Sequence, residues 1–326
     1  MRRIRWFAMV AAVMAIALVG VACGGDEPSD GASGDGTAAL SGDIRIDGSS
    51  TVGPLTEAAA EFFQEENPDV RVTVGISGTG GGFEKFCAGE TDANDASRQI
   101  EADEEELCAT AGVEWVEIQV ANDGLAVVVN PENDWADSLT VEQLKMIWDE
   151  GSTIDNWNQV DPSFPDVPLE LFGAGTDSGT FDYFTEAVNG EEGVSRTDYQ
   201  ATEDDNVSVQ GVAGSKGGMA YFGLSYYEQN ADQLKLVAID NGNGPVTPSL
   251  ETVQSGEYTP LSRPLFIYPS VESLQRPEMA AFMQFYLDNA QSIAEQALFV
   301  PITAEQTAAA QAVLDGIVGG ASPAAE

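Results

Sequence analysis

Three times in this chain a strand-like run breaks into glycines and hydroxyls and then into a helix-like stripe. "DIRIDGSSTVGPLTEA" alternates Ile44 and Ile46 with polar residues, then carries Ser49, Ser50 and Thr51 into Leu55, Ala58, Ala59, Phe62 and Phe63 at helical spacing. "SGTGGGFEKF" follows the strand-like "VRVTVGIS", with Thr79 and three glycines before a short helix. "GTDSGTFDYF" follows "VPLELFGAG", with Ser178, Gly179 and Thr180 before another helix. A helix start carries unpaired N–H groups and a partial positive charge. Glycine lets the backbone approach a ligand closely, and hydroxyls both cap the helix and donate to an oxyanion. Anions bind such ends readily. Each motif alone is an ordinary cap; three in one chain point to an anion. A P-loop is excluded because no GxxxxGK[ST] is present, and "GVAGSKGG" at Gly211–Gly218 has the wrong spacing and reads as a turn.

Strand-like and helix-like runs alternate along the whole chain, which predicts an α/β fold with mixed, largely parallel sheets. "GVEWVEIQVANDGLAVVVN" reads as two strand-like runs, Trp115 to Val120 and Leu125 to Val129. "LTVEQLKMIWDE", "TFDYFTEAVNG", "PEMAAFMQFYLDNAQSIAEQ" and "TAEQTAAAQAVLDGIVGG" read as helices, and "KLVAI" and "RPLFIYP" as strands. With 326 residues the chain can bury a large core in one or two domains.

The N-terminus stands apart. Arg2, Arg3 and Arg5 precede an apolar run from Trp6 to Ala22 and then Cys23, the pattern of a secretory signal. Small residues before a cysteine and a polar "GGDEPSDGASGDG" after it resemble a bacterial lipoprotein signal over 1–22, with Cys23 lipidated. Several acyl chains on that cysteine would hold the protein stably on a membrane; a plain signal peptide or an uncleaved anchor is the alternative. Gly20 departs from the leucine most common at its position. Residues 23–42 read as a flexible tether and 319–326 as a frayed tail.

The chain carries 54 acids against 13 bases, a formal charge of −41 that becomes −44 once the three signal arginines are removed. That excess argues against nucleic acid and against an anionic membrane surface as partners; a solvated, soluble surface accounts for it. Cys87 and Cys108 in an exported chain predict one disulfide, worth about 3 kcal/mol of loop closure; a metal site is the weaker alternative. The absence of histidine removes the Ser-His-Asp triad and the HExxH zinc site, and no cofactor is expected. Arg98, beside Ser97 in "DANDASRQI", offers a planar, permanently charged fork suited to phosphate, or a surface ion pair with one of many acids.

"IDGSSTVGPLTEA", "SGTGGGFEKF", "DASRQI", "GTDSGTFDYF", "GVAGSKGGMAYFG" and "SRPLFIY" occur in that order from about Asp43 to Gly316. Together they resemble the phosphate-binding proteins of bacterial phosphate ABC importers, of the type II periplasmic-binding-protein fold. The resemblance implies two α/β lobes, 43–124 with 265–318 and 125–264. Two strands would cross between them near Gly124–Val128 and Arg263–Ile267, with the ligand in the cleft. It implies phosphate contacts from Ser50, Thr51 and the Val52 N–H, from Thr79, from Ser97 and Arg98, and from Ser178, Gly179 and Thr180. The partners implied are phosphate, the permease subunits of the importer and, through Cys23, the membrane.

The pattern departs from some family members in two places. Ser97 stands where they carry an aspartate, and Ala174 stands at about the position of their arginine; Arg98 is expected to supply that charge. Phosphate near neutral pH still carries a proton and sulfate does not, so discrimination needs a buried acceptor. The candidates are Asp177, Asp95 and Asp47. A secreted phosphatase-like hydrolase is the alternative in another class, and a sulfate or molybdate receptor the alternative on the same scaffold.

Overall fold

The computed structural model describes residues 39–176 and 178–319. The signal segment, Cys23, the acceptor candidate Asp177 and residues 320–326 lie outside them. Of the tether only 39–42 is described, and Gly42 already opens the first strand.

Among the described residues twelve strands run in chain order: β1 Gly42–Gly48, β2 Val70–Ile76, β3 Ala93–Ala96, β4 Ile118–Val129, β5 Ser138–Thr140 and β6 Glu170–Ala174, then β7 Gln200–Thr202, β8 Gly218–Gly223, β9 Lys235–Leu236, β10 Ala238–Asp240, β11 Pro245–Val246 and β12 Ser262–Pro269. They form one curled mixed sheet in the order β2-β1-β3-β12-β4-β8-β6-β7, with β9 also on β4, and a small sheet β11-β10-β5. β1 lies parallel to β2 and β3, while β12 is antiparallel to both β3 and β4. The far half of β4, Leu125–Val129, leaves β12 and pairs antiparallel with β8, on which β6 lies parallel.

Two apolar cores follow from that division of β4. One gathers Ile44, Ile46, Leu55, Phe63, Val120, Leu265, Phe282 and Tyr286. The other gathers Val127, Trp148, Trp157, Phe184, Tyr221 and Phe222, with Phe184 stacked on Tyr221 at a centroid distance of 3.7 Å. A third, smaller cluster surrounds the disulfide between Cys87 and Cys108, with Phe83, Phe86 and Tyr268 against it. The bond ties the end of helix Thr79–Cys87 to helix Ala102–Ala111.

The sequence expectations for elements differ from the structure in several places. Among the described residues the strand pairings are parallel and antiparallel in equal number rather than largely parallel, because β12 and β4 run against their neighbours. "KLVAI" is two short strands, β9 on β4 and β10 in the small sheet. "ANDG" separates the two strand-like runs read from the sequence, yet β4 passes through it unbroken. Tertiary pairing overrides the local preference: the Asn122 N–H donates to the Val300 carbonyl at 2.8 Å and the Val300 N–H returns to Asn122 at 3.0 Å. Gly124 serves room rather than flexibility, since a Cβ there would sit 2.6 Å from Val253 Cγ2. The long helix read over "PEMAAFMQFYLDNAQSIAEQ" is two, Pro277–Asp288 and Ala290–Gln296, broken at Asn289, whose backbone is not helical.

Helix Gly53–Glu66 shows why the first motif folds as it does. Pro54 lies in its first turn, where its missing N–H costs nothing, and Leu55, Ala59 and Phe63 bury one face. No side chain caps this helix or helix Thr79–Cys87. In helix Gly53–Glu66 the Gly53 N–H donates to the Ser49 carbonyl at 2.9 Å and the Leu55 and Thr56 N–H groups to the Val52 carbonyl at 2.9 and 3.1 Å, whereas in helix Thr79–Cys87 the first three N–H groups have no intrahelical partner by position.

Candidate functional site

The C-terminal ends of β1, β2 and β3 meet the start of helix Gly179–Phe184 around a cavity of about 260 Å³. From the first core's side it is lined by Ser49, Ser50 and Thr51 after β1, by Ser77, Gly78, Thr79, Gly80 and Gly81 after β2, and by Ser97 and Arg98 after β3. From the other side come Asp182, Tyr183, Glu186 and Glu192, and from β12 comes Arg263.

Five of the nine ligand residues expected from the sequence line this cavity: Ser50, Thr51, Thr79, Ser97 and Arg98. Thr79 and Ser97 are neighbours, their hydroxyl oxygens 3.1 Å apart, and the Ser97 N–H donates to Thr79 Oγ1 at 3.2 Å. Val52 buries its side chain in the first core and does not line the cavity. Ser178 accepts from the Thr180 N–H at 3.2 Å, an N-cap bond, and neither residue is among the lining. Gly179 is not among the lining either; its carbonyl accepts from Thr51 Oγ1 at 3.5 Å. A Cβ at Gly179 would sit 2.7 Å from that oxygen and 3.0 Å from the Thr51 nitrogen, so glycine is what permits the two sides to meet here.

The acceptor candidates fall elsewhere. Asp47 is bound by Lys85 at 2.7 Å and by the Ser77 hydroxyl. Burial pushes its carboxyl up, but the donors Lys85 and Ser77 outweigh that and hold it below the ordinary range. Asp95 points away from the cavity toward Thr56, whose hydroxyl donates to it at 2.9 Å. Complete burial pushes the Asp95 carboxyl up to about 8, so it is a neutral acid at pH 7 with one oxygen unpartnered among the described residues.

The structure brings other acids to the cavity. Asp182 accepts from the Ser50 hydroxyl at 3.4 Å across the cavity. Burial raises its carboxyl above the usual range and Glu186 adds to that, against Ser50 and Arg263. Glu192 is raised as well, by burial and by Asp182 and Glu186. Sequence reasoning passed over Asp182 although it stands inside "GTDSGTFDYF", four residues after Ser178. The spacing Ser178, Asp182, Glu186 was the available signal for a polar helix face.

Arg98 enters the cavity wall already paired: Nη1 and Nη2 donate to the two Glu104 oxygens, each at 2.8 Å, and Nε lies 3.3 Å from Glu101. Arg98 thus lines the cavity and makes the ion pair that the sequence also allowed. Arg263, also missed as a site residue, is one of only ten basic residues after Cys23, and it too lines the cavity. Among the described residues no cluster of three or more His, Cys, Asp or Glu side chains is arranged to hold a metal ion.

Residues 33–290 match the family model of the PBP superfamily domain. The chain is 39% identical to the phosphate-binding protein PstS of Staphylococcus saprophyticus over 300 residues, 91% of this chain and 90% of that one. The chain belongs to the PstS-like phosphate-binding protein family. It is also 49% identical to the protein SphX of a Synechocystis strain over 265 residues, 80% of this chain and 79% of that one. Among solved structures it is similar to a possible phosphate-binding protein from Planctomyces limnophilus. The TM-score is 0.82 at 46% identity, over 86% of this chain and 99% of that one. The PstS-like fold is the type II periplasmic-binding-protein fold expected from the sequence, here an α/β architecture with one curled mixed sheet and its helices. PstS-like proteins are receptors, and the chain is not an enzyme. Among the described residues no helix is long and apolar enough to cross a membrane.

Proposed function

We propose that the chain is an exported receptor that binds inorganic phosphate in this cavity and delivers it to the permease of an ABC importer. The observation that carries this is the pairing of Ser50 with Asp182 across a cavity otherwise rich in hydroxyl and backbone donors. The donors of Ser50, Thr51, Thr79 and Ser97, with the start of helix Thr79–Cys87 beside them, suit an oxyanion. Asp182 suits the proton that phosphate retains and sulfate lacks, and an ionised carboxylate facing sulfate would stand unpaired against a like charge. The names of the relatives support the same ligand.

The division of β4 supports two lobes, 43–124 with 265–318 and 125–264, that close over the ligand as a hinge. Thr51 against Gly179 and Ser50 against Asp182 are the contacts by which the jaws meet. The sequence before the fold supports lipidation at Cys23 and attachment to the outer face of the cell membrane. Labelling with a fatty-acid probe, lost in Cys23→Ala, tests the anchor. Calorimetric titration of the purified protein with phosphate, sulfate and molybdate tests the ligand. Micromolar or tighter affinity, at least about −8 kcal/mol, is expected for phosphate alone. Equal affinity for sulfate overturns the assignment of Asp182, and no affinity for phosphate overturns the receptor.

A further inference from the structure

The two cations of the cavity wall are held in opposite ways. Arg98 has both terminal nitrogens on Glu104 at 2.8 Å, Nη1 also on the Gln99 carbonyl at 3.1 Å, and Nε against Glu101. Its fork is taken up by its own half of the molecule, and Glu101 and Glu104 together outweigh its charge. Arg263 is more deeply set, its side chain 14% exposed against 33% for Arg98. Its Nη2 donates to Thr51 Oγ1 at 3.0 Å and its Nε to Asp123 Oδ2 at 3.4 Å. The guanidinium lies 3.6 Å from the centroid of the Tyr183 ring. Nη1 makes no hydrogen bond among the described residues; its ion-pair partner, Glu186 Oε2, is 3.8 Å away.

Arg263 also differs in where it is mounted. It is the second residue of β12, opposite Asp123 on β4, where the chain passes from one core to the other. The lining side chains before it belong to one face or the other of the cavity; Arg263 belongs to the crossing. Its partners nonetheless come from both faces, Thr51 from one and Tyr183 and Glu186 from the other.

We propose that Arg263, and not Arg98, is the cation that takes the charge of the bound anion, presenting its terminal nitrogens to two oxygens of one ligand. This rests on the phosphate reading of the same cavity. The planar fork suits two oxygens of one tetrahedral anion. Tyr183 fixes the plane of the guanidinium and Asp123 fixes its stem, so little rotational freedom remains to be lost on binding. Glu186, on the cavity side of Nη1, is the group an incoming anion would displace. Because the crossing carries Arg263 and each face holds one of its sides, the ligand would meet the full set of Arg263 contacts only when the faces are together.

The test is calorimetric titration of the full mature chain with inorganic phosphate, for the parent, Arg263→Gln, Arg263→Lys, Arg98→Gln and the double variant Asp123→Asn with Arg263→Gln. Loss of a charge-assisted pair of bonds predicts a fall of roughly 10- to 100-fold for Arg263→Gln. Arg98→Gln should fall less than about threefold, since its charge is already neutralised. Arg263→Lys keeps a cation beside Asp123 and guards against misfolding; it is expected to bind at least about fivefold more weakly because an ammonium lacks the fork. The double variant should bind as weakly as Arg263→Gln alone. Its recovery to parent affinity would mean that Arg263 serves only to neutralise buried Asp123, and overturns the proposal. So does parent affinity in Arg263→Lys and Arg263→Gln, or a greater loss in Arg98→Gln. A parent that binds no phosphate overturns the receptor function and the Arg263 assignment with it, whereas a binding parent with an equally binding Arg263→Gln overturns the assignment alone.

Discussion

The two faces of the cavity are made of different chemistry. The face after β1, β2 and β3 is hydroxyls and glycines: Ser49, Ser50, Thr51, Ser77, Thr79 and Ser97, with Gly78, Gly80 and Gly81. The opposing face is acids and a phenol: Asp182, Glu186, Glu192 and Tyr183. One donates and the other accepts. A donor face alone would hold phosphate and sulfate alike, so on the proposed reading the first face, with Arg263 of the crossing, supplies affinity and the second supplies choice. The first face also stands on the firmer base. Its second helix is tied by Cys87–Cys108, and the buried group Asp95, Thr56 and Tyr286 lies under its first helix.

The strongest way to break this comparison is at Asp182. Asp182→Asn turns half of the carboxylate's accepting capacity into donors, and the ratio of phosphate to sulfate affinity should fall at least about a thousandfold, read by calorimetry; an unchanged ratio would move choice to Glu186 or Glu192. The base of the donor face comes next. Replacing Cys87 and Cys108 together by serine should lower stability by about 3 kcal/mol in denaturant titration and leave the phosphate-to-sulfate ratio where it was.

Asp95 gives a pH signature to the same base. Its folded carboxyl is near 8, against about 3.9 in an unfolded chain. Between those values the unfolded chain binds fewer protons, so stability falls as pH rises through that window and levels above it. Asp95→Asn should remove that slope and raise stability at pH 7, read by denaturant titration. A parent whose stability is flat from pH 4 to 8 would rule the neutral acid out. Gly179→Ala acts where the faces touch. The methyl would press on Thr51, and phosphate affinity should fall about tenfold, or roughly 1.4 kcal/mol; scattering of the phosphate-saturated protein should then report a more open particle. The smallest effect is on selectivity with pH. Burial holds the Asp182 carboxyl above the ordinary range, so lowering pH protonates it earlier than an exposed acid. Sulfate should gain on phosphate as pH falls, and a constant ratio down to pH 4 would separate Asp182 from choice.

The donor face was legible in the sequence because its signal is local. Ser50, Thr51, Thr79 and Ser97 each stand in a strand-to-helix break, and that break is what brings them to a sheet's C-terminal edge. The fold class was legible for the same reason, through alternating strand and helix periods. The accepting face was harder to read. Asp182 lies inside a helix, where an acid is ordinary, and only the approach of Ser50 from 132 positions away gives it a role. Asp95 and Asp47 stand in strand ends that look equally apt, but one is turned under a helix and the other is taken by Lys85. Side-chain direction at a strand end is set by tertiary packing, which no spacing records. The same holds for "ANDG", where the backbone pairing of Asn122 with Val300 continues a strand that the local residues do not mark.

The run through "ANDG" has a mechanical consequence. β4 and β12 lie side by side and hydrogen-bonded as they pass between the cores, with the Leu125 N–H on the Leu261 carbonyl at 2.9 Å. Two laced ribbons resist torsion and sliding far better than one, and yield chiefly by flexing out of their common plane. A joint with a single soft direction brings its ends back to the same place each time it swings. Every captured ion would then be met by the same geometry, with no search among misaligned closures.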